Sequence, residues 1–213
     1  MLEGSRGTGV AARRSAARRV PRQERSRRRV EQILDAASRL VIERGVDALT
    51  TRAIAEASEV PVASLYQYFH DKEDILLALV ERDRAEMDEQ LLADLAGLDE
   101  LSLSALVETA MRAFTKVYAR RPAFVEIWLR GRDNPAIRDR GREHSVEIAS
   151  NLLQFAEAAG LLSHDVPPKI ALLAVEVGDR VFQLAYAQDL EGDQELVEEG
   201  IRMVAGYLAP YSR

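Results

Sequence analysis

Apolar residues recur at intervals of three and four along nearly the whole chain, with polar residues between them. That spacing puts the apolar set on one face of an α-helix and predicts an all-α protein. The first helix is expected from about Arg22 or Arg25 to Arg44, where Val30, Ile33, Leu34, Ala37, Leu40 and Val41 share a face. Gly45 is its natural stop. Thr50 or Thr51 caps a second helix carrying Ile54 and Ala55. A turn follows at Ser58, Glu59 and Val60, then a short helix from about Val62 to Phe69. Leu65 and Phe69 are four apart and point inward together, leaving small or polar Ala63, Ser64 and Gln67 on the other side.

From Asp74 the pattern stays helical almost to the end. One helix covers about Asp74 to Ala96, capped by Asp71 or Asp74, with Leu76, Val80, Met87, Leu91 and Leu95 near one stripe. Another covers Ser102 to Ala119, with Leu103, Leu106, Val107, Ala110, Met111, Phe114, Val117 and Tyr118 inward. Pro122 opens a short segment, Phe124 to Arg130, that is apolar almost all round, so other helices must wrap it. Pro135 to Gly160 carries the stripe Ile137, Gly141, His144, Ile148, Leu152 and Phe155. A loop with His164 leads to Pro167 and Pro168, which start an eighth main helix. The last helix covers about Gln194 to Leu208. The reading contains about nine helices, no strand and no internal repeat.

The eighth helix has two apolar stripes. Ile170, Leu173, Ala174, Val177, Val181, Leu184 and Ala185 form one, and Leu172, Val175, Phe182 and Tyr186 the other. Two stripes suit a helix held between its own core and a partner. The last helix adds Val197, Ile201, Val204 and Leu208, with Gly200 and Gly206 permitting close approach. Val177, Val181, Leu184, Val197, Ile201, Val204 and Leu208 are therefore expected at a four-helix interface between two copies.

Composition narrows the classes. With 213 residues, 47% of them hydrophobic, the chain can bury a substantial core. It has no cysteine, which removes disulfide and thiolate–metal chemistry and is compatible with the reducing cytoplasm, its expected location. The apolar run Ile75 to Val80, which no other run exceeds, is too short to span a bilayer, and no apolar run follows the Arg-rich start as a secretory signal would require. Net charge is −6 but unevenly placed: ten Arg against Glu3 and Glu24 give residues 1–29 a charge of +8, leaving −14 on the rest. A basic arm on an acidic body points to nucleic acid or an anionic surface. Residues 1–20, rich in Gly, Ala, Ser and Arg, are read as disordered, either an arm laid along DNA or an inert solubilising tail.

The stretch Thr50–Leu76 is the most specific part of the sequence. Thr51, Ile54-Ala55, Leu65-Tyr66-Gln67-Tyr68-Phe69, Lys72 and Ile75-Leu76 resemble the TetR family of bacterial transcriptional regulators, over Arg27 to Leu79. Two positions depart from the family pattern: Glu59 stands where Gly is usual, and Pro61 where Ser or Thr is. Charge and composition set off a basic arm over 1–21, and the resemblance implies a helix-turn-helix domain over 22–73 and a helical effector-binding and dimerisation domain over 74–213. It implies a homodimeric repressor on double-stranded operator DNA, released by a small-molecule effector. Thr51, Arg52, Ala63, Ser64, Tyr66, Gln67, Tyr68 and Lys72 are the expected DNA-binding residues. Short side chains and an amide suit base edges, and hydroxyls and Lys suit phosphates.

An effector pocket is expected among Met111, Phe114, Tyr118, Trp128, His144, Phe155, Asp179 and Phe182. The signal is His144 and Asp179, ionisable residues that interrupt apolar stripes and need a partner or a wet cavity. An apolar or aromatic effector with a hydrogen-bonding group would suit such a site. Enzyme chemistry is not expected. His70, His144 and His164 are too scattered for a metal triad, and neither a Gly-rich phosphate loop nor a GxSxG elbow occurs. No metal, cofactor or membrane partner is expected. Two alternatives are an architectural DNA binder using the Arg arm and a regulator without an effector, which would lack a cavity.

Overall fold

The computed structural model describes the backbone of residues 9–98, 101–131, 133–162 and 166–213, and side chains within these from residue 23 onward. The first helix, α1, runs Gly9–Arg44. Residues 9–20 are thus helical where disorder was expected. Ala and Arg are strong helix formers, and turns added to an existing helix avoid the nucleation cost. Residues 1–8, the arm's side chains and the loop with His164 lie outside the described residues.

Thr50 caps α2 (Thr51–Ala57) by accepting from the Ala53 N–H at 3.1 Å. The turn to α3 places Glu59 at φ 55°, the left-handed conformation for which glycine is suited. One α-helical turn, α3 (Val62–Leu65), then tightens: Gln67 and Tyr68 donate to carbonyls three residues back and Phe69 to Leu65. The expected helix to Phe69 is therefore one α turn followed by tight turns. Asp71 caps α4 (Lys72–Ala96), accepting from the Asp74 N–H at 2.9 Å, while Asp74 accepts from the His70 N–H at 2.9 Å.

Ser102 caps α5 (Leu103–Arg120). The single turn α6 (Pro122–Phe124) runs into a π-helical segment, Val125–Arg130, whose Val125, Ile127, Trp128 and Leu129 are all buried, as an all-round apolar segment must be. Gly131 ends it, because a Cβ there would lie 2.3 Å from the Ile127 carbonyl oxygen. Asn134 caps α7 (Pro135–Ala158), and α8 (Pro168–Ala185) and α9 (Gln194–Leu208) complete the chain before a 3-10 turn at Ala209–Tyr211.

The fold is all-α among the described residues, apart from an isolated bridge between Leu162 and Ser212. The helix-turn-helix unit closes over Ile33, Ile54, Leu65, Ile75 and Leu79, each 0% exposed. Past that unit α4 packs along α5, and α7, α8 and α9 complete the larger bundle. One helix, α4, thus carries core residues of both halves.

Candidate nucleic-acid interface and internal cavity

The capped α2 and the buried Leu65 and Phe69 fix which side of α3 faces outward. Arg52, Ala63, Tyr66 and Gln67 are exposed there, and Thr51, Ser64, Tyr68 and Lys72 are half-buried. The Thr51 hydroxyl lies 3.1 Å from the Tyr66 hydroxyl and ties the start of α2 to the end of α3. Tyr68 packs against the core and leaves the surface partly uncovered. Lys72 opens α4 in its first turn. Sequence reasoning missed Val62, which is 41% exposed beside Ala63. Helical spacing would place it with Leu65 and Phe69, three and seven residues on, so the only signal for its exposure was its position as the first residue of α3, at the open end of that face.

At the junction of the two halves sits a charged cluster. Arg82 on α4 donates to Asp35 (2.9 Å) and Glu31 (3.3 Å) of α1 and to Asp83 (3.1 Å). Arg121 donates to Glu86 at 2.6 Å and approaches Asp83 at 3.8 Å. Asp83 is 1% exposed. Burial pushes its carboxyl above the ordinary value, although Arg82 and Arg121 pull the other way. Burial opposes the charge on Arg82 as well, yet Asp83, Asp35 and Glu31 together hold its guanidinium above the usual value. Glu86 moves down despite some burial, because Arg121 and Arg120 hydrogen-bond to it.

The larger bundle holds a cavity of about 110 Å³ that is partly open to the surface. Of the eight residues expected to form a pocket, Met111, Phe114, Tyr118, Trp128, His144, Asp179 and Phe182 line it. Phe155 does not. The wall of α7 follows the four-residue row His144, Ile148, Leu152, Ala156, and Phe155 is turned away from Ala156 by about 100°. The half-buried Phe155 ring packs instead against the core. The Trp128 ring meets the His144 imidazole edge-on at 5.6 Å, and Tyr118 meets Phe182 at 5.4 Å. Asp179 accepts a hydrogen bond from Gln183 at 2.7 Å. Polar side chains from Tyr118, His144, Ser145 and Asp179 therefore stand in an otherwise apolar wall, an arrangement able to hold and orient a largely apolar molecule.

The expected interface residues divide. Val181, Val197, Ile201, Val204 and Leu208 are buried within the chain itself, and Val204 and Leu208 line the cavity. The cause is the tight packing of α8 on α9: a Cβ at Gly200 would lie 2.4 Å from Val181 Cγ1, so the glycine admits the valine. Val177 is half-buried and Leu184 is 48% exposed, joined on the outer surface by Leu173 (48%) and Met203 (52%). Among the described residues no helix is long and apolar enough to cross a membrane, and no group of three or more His, Asp or Glu is placed to hold a metal ion.

Known proteins share this arrangement. Residues 33–79 match the family model for bacterial regulatory proteins of the tetR family. Residues 102–208 match the model for the tetracyclin repressor-like C-terminal domain. The HTH-type transcriptional repressor AcnR of Corynebacterium diphtheriae is 29% identical over 191 residues, covering 86% of this chain and 96% of that one. The HTH-type transcriptional repressor KstR of Mycolicibacterium smegmatis is 36% identical over 65 residues, 30% of this chain and 32% of that one. A TetR-family transcriptional regulator from Streptomyces coelicolor superposes with a TM-score of 0.67 at 26% identity, covering 86% of this chain and 99% of that one. With both halves matched and the helix-turn-helix in place, the chain belongs to the TetR family of DNA-binding bacterial transcriptional regulators.

Proposed function

We propose that this regulator is a cytoplasmic homodimeric repressor that leaves its operator when a small apolar or aromatic molecule fills the cavity. The observation that carries this reading is the cavity itself, walled in part by Met87 of α4, the helix that also carries Ile75 and Leu79 of the DNA-binding core. A ligand that prefers another position of α4 lowers operator affinity by its own differential affinity for the two states. Residues 22–73 form the operator-reading domain and 74–213 the ligand-binding and dimerisation domain. Arg52, Ala63, Ser64 and Gln67 face base edges, and Thr51, Tyr66, Tyr68 and Lys72 face phosphates. Two copies pair through Leu173, Val177, Leu184 and Met203, setting their α3 segments in successive major grooves about 34–36 Å apart.

The test uses Trp128, the chain's single tryptophan, in the cavity wall. The operator is first selected from random DNA. An uncharged aromatic probe, 2-naphthol, is then titrated while Trp128 emission and operator anisotropy are followed together. Emission and operator release should change over the same concentration range, and both responses should vanish in Ala174→Phe, which fills the cavity. A probe that perturbs Trp128 in the wild type and leaves operator affinity unchanged refutes the coupling and favours a regulator without an effector. Gln67→Ala should cost about 1–3 kcal/mol and relax one base position. Lys72→Ala should weaken all sequences alike and reduce the salt slope by about one unit.

A further inference from the structure

We propose that the exposed Val62–Ala63 edge of α3 reads thymine methyl groups, so that each operator half-site places neighbouring A·T pairs beneath the start of α3. The inference rests on the reading of α3 as the base-reading element and names the base chemistry it selects. Three observations converge. The core needs of this segment are met by Leu65 (0% exposed) and Phe69 (7%), while Val62 is 41% exposed and belongs to no buried cluster. From Val60 to Phe69 the chain carries no charged residue, so the Arg or Lys contact that most often selects guanine cannot come from α3. The amide on the outward side is Gln67, whose acceptor and donor match adenine N6 and N7.

The major groove offers apolar side chains one apolar group, the thymine C5 methyl, and the paired adenine is the base a glutamine reads best. Val62, Ala63 and Gln67 therefore address the same kind of base pair from two sides. Arg52 lies on α2, and Glu59 lies in the preceding turn. Any charged contact to guanine or cytosine falls to those flanks and not to α3.

The experiment selects bound sites from random DNA with the full chain, then replaces each enriched thymine by deoxyuridine, which keeps the pairing and removes the methyl. Neighbouring thymines should be enriched. Deoxyuridine at a contacted position should weaken binding about fourfold, the factor for burying one methyl group. Val62→Ala should lose a similar factor and become insensitive to deoxyuridine there. Enrichment of G·C pairs at the positions sensitive to Gln67→Ala, or equal binding of thymine and deoxyuridine sites, overturns the inference while leaving α3 as the reader. If neither Val62→Ala nor Gln67→Ala changes affinity for the selected site, α3 is not the reading element, and the inference falls with that reading. The deoxyuridine arm uses the wild-type chain, so it decides the matter even if a variant folds poorly.

Discussion

Removing the Arg82 guanidinium gives the sharpest test of how the two halves are joined. In Arg82→Met, Asp83 keeps its burial at 1% exposed and loses the donor at 3.1 Å. Removing one partner of a buried ion pair costs about 3–5 kcal/mol, because the remaining charge is stranded in a poorly solvating place. Two features put the cost at the low end. The Arg82 side chain is 19% exposed, and Arg121 stays 3.8 Å from the same carboxylate oxygen. The expected loss is about 3 kcal/mol. A chain of this size loses about 2–4 °C of melting temperature per kcal/mol, so the midpoint should drop by about 6–12 °C.

The control separates the buried charge from the surface pairs. Glu31 and Asp35 are more than half exposed where Arg82 meets them, so Glu31→Gln and Asp35→Asn should each cost at most about 1 kcal/mol. The double variant Arg82→Met/Asp83→Leu removes both charges and should recover most of the loss, as replacement of a buried pair by apolar groups generally does. Melting is followed by far-ultraviolet circular dichroism at one protein concentration, since the midpoint of a dimer depends on concentration. The reasoning fails if Arg82→Met melts within about 2 °C of wild type, below the shift for 1 kcal/mol. It also fails if the double variant melts no higher than the single one.

Glu59→Gly should raise the midpoint by a few degrees, because relief of a left-handed non-glycine residue is worth about 1 kcal/mol less a fraction for glycine's entropy; a lower midpoint would remove strain as a property of that turn. Gly131→Ala should destabilise by about 1–3 kcal/mol in denaturant titration, since the new Cβ meets a backbone oxygen at 2.3 Å that cannot swing away. Burial raises the Asp83 carboxyl, so the folded chain takes up that proton at a pH where the unfolded chain has not, and the group adds stability as pH falls through its folded-state value until the ordinary value of 3.8. The excess melting temperature of Asp83→Asn over wild type should accordingly shrink as pH is lowered from neutral, and a gap that grows would reverse the sign argued here. Leu184→Arg should give folded monomers in sedimentation, because the side chain is outside the single-chain core, whereas Val204→Arg should unfold the chain; an intact Leu184→Arg dimer moves the interface elsewhere.

What the sequence revealed and what it concealed divide along the range of the forces involved. The helix-turn-helix was legible because its determinants lie within a few residues of one another: Thr50 caps α2, Asp71 caps α4, and Leu65 with Phe69 orient α3. The cavity was legible for a different reason: His144 and Asp179 break apolar stripes, and such breaks are expensive unless a site explains them. Periodicity failed where the question was which neighbour a face meets. It found two apolar faces on α8 and could not say that the one carrying Val181 is filled by α9 of the same chain. Gly200 held that information, since a glycine opposite a valine marks a close approach, but a glycine does not say whether the approaching helix belongs to the same copy. The π-helical segment was hidden because a run that is apolar almost all round carries no repeat by which widened turns could be told from ordinary ones. Val62 escaped notice because an apolar residue reads as core until its neighbours are known, whereas the two stripes of α8 had already assigned Leu184 to an interface; both stand outside the single-chain core. Once the core is satisfied without them, each is free to serve the contact proposed for it, DNA in one case and a second copy in the other.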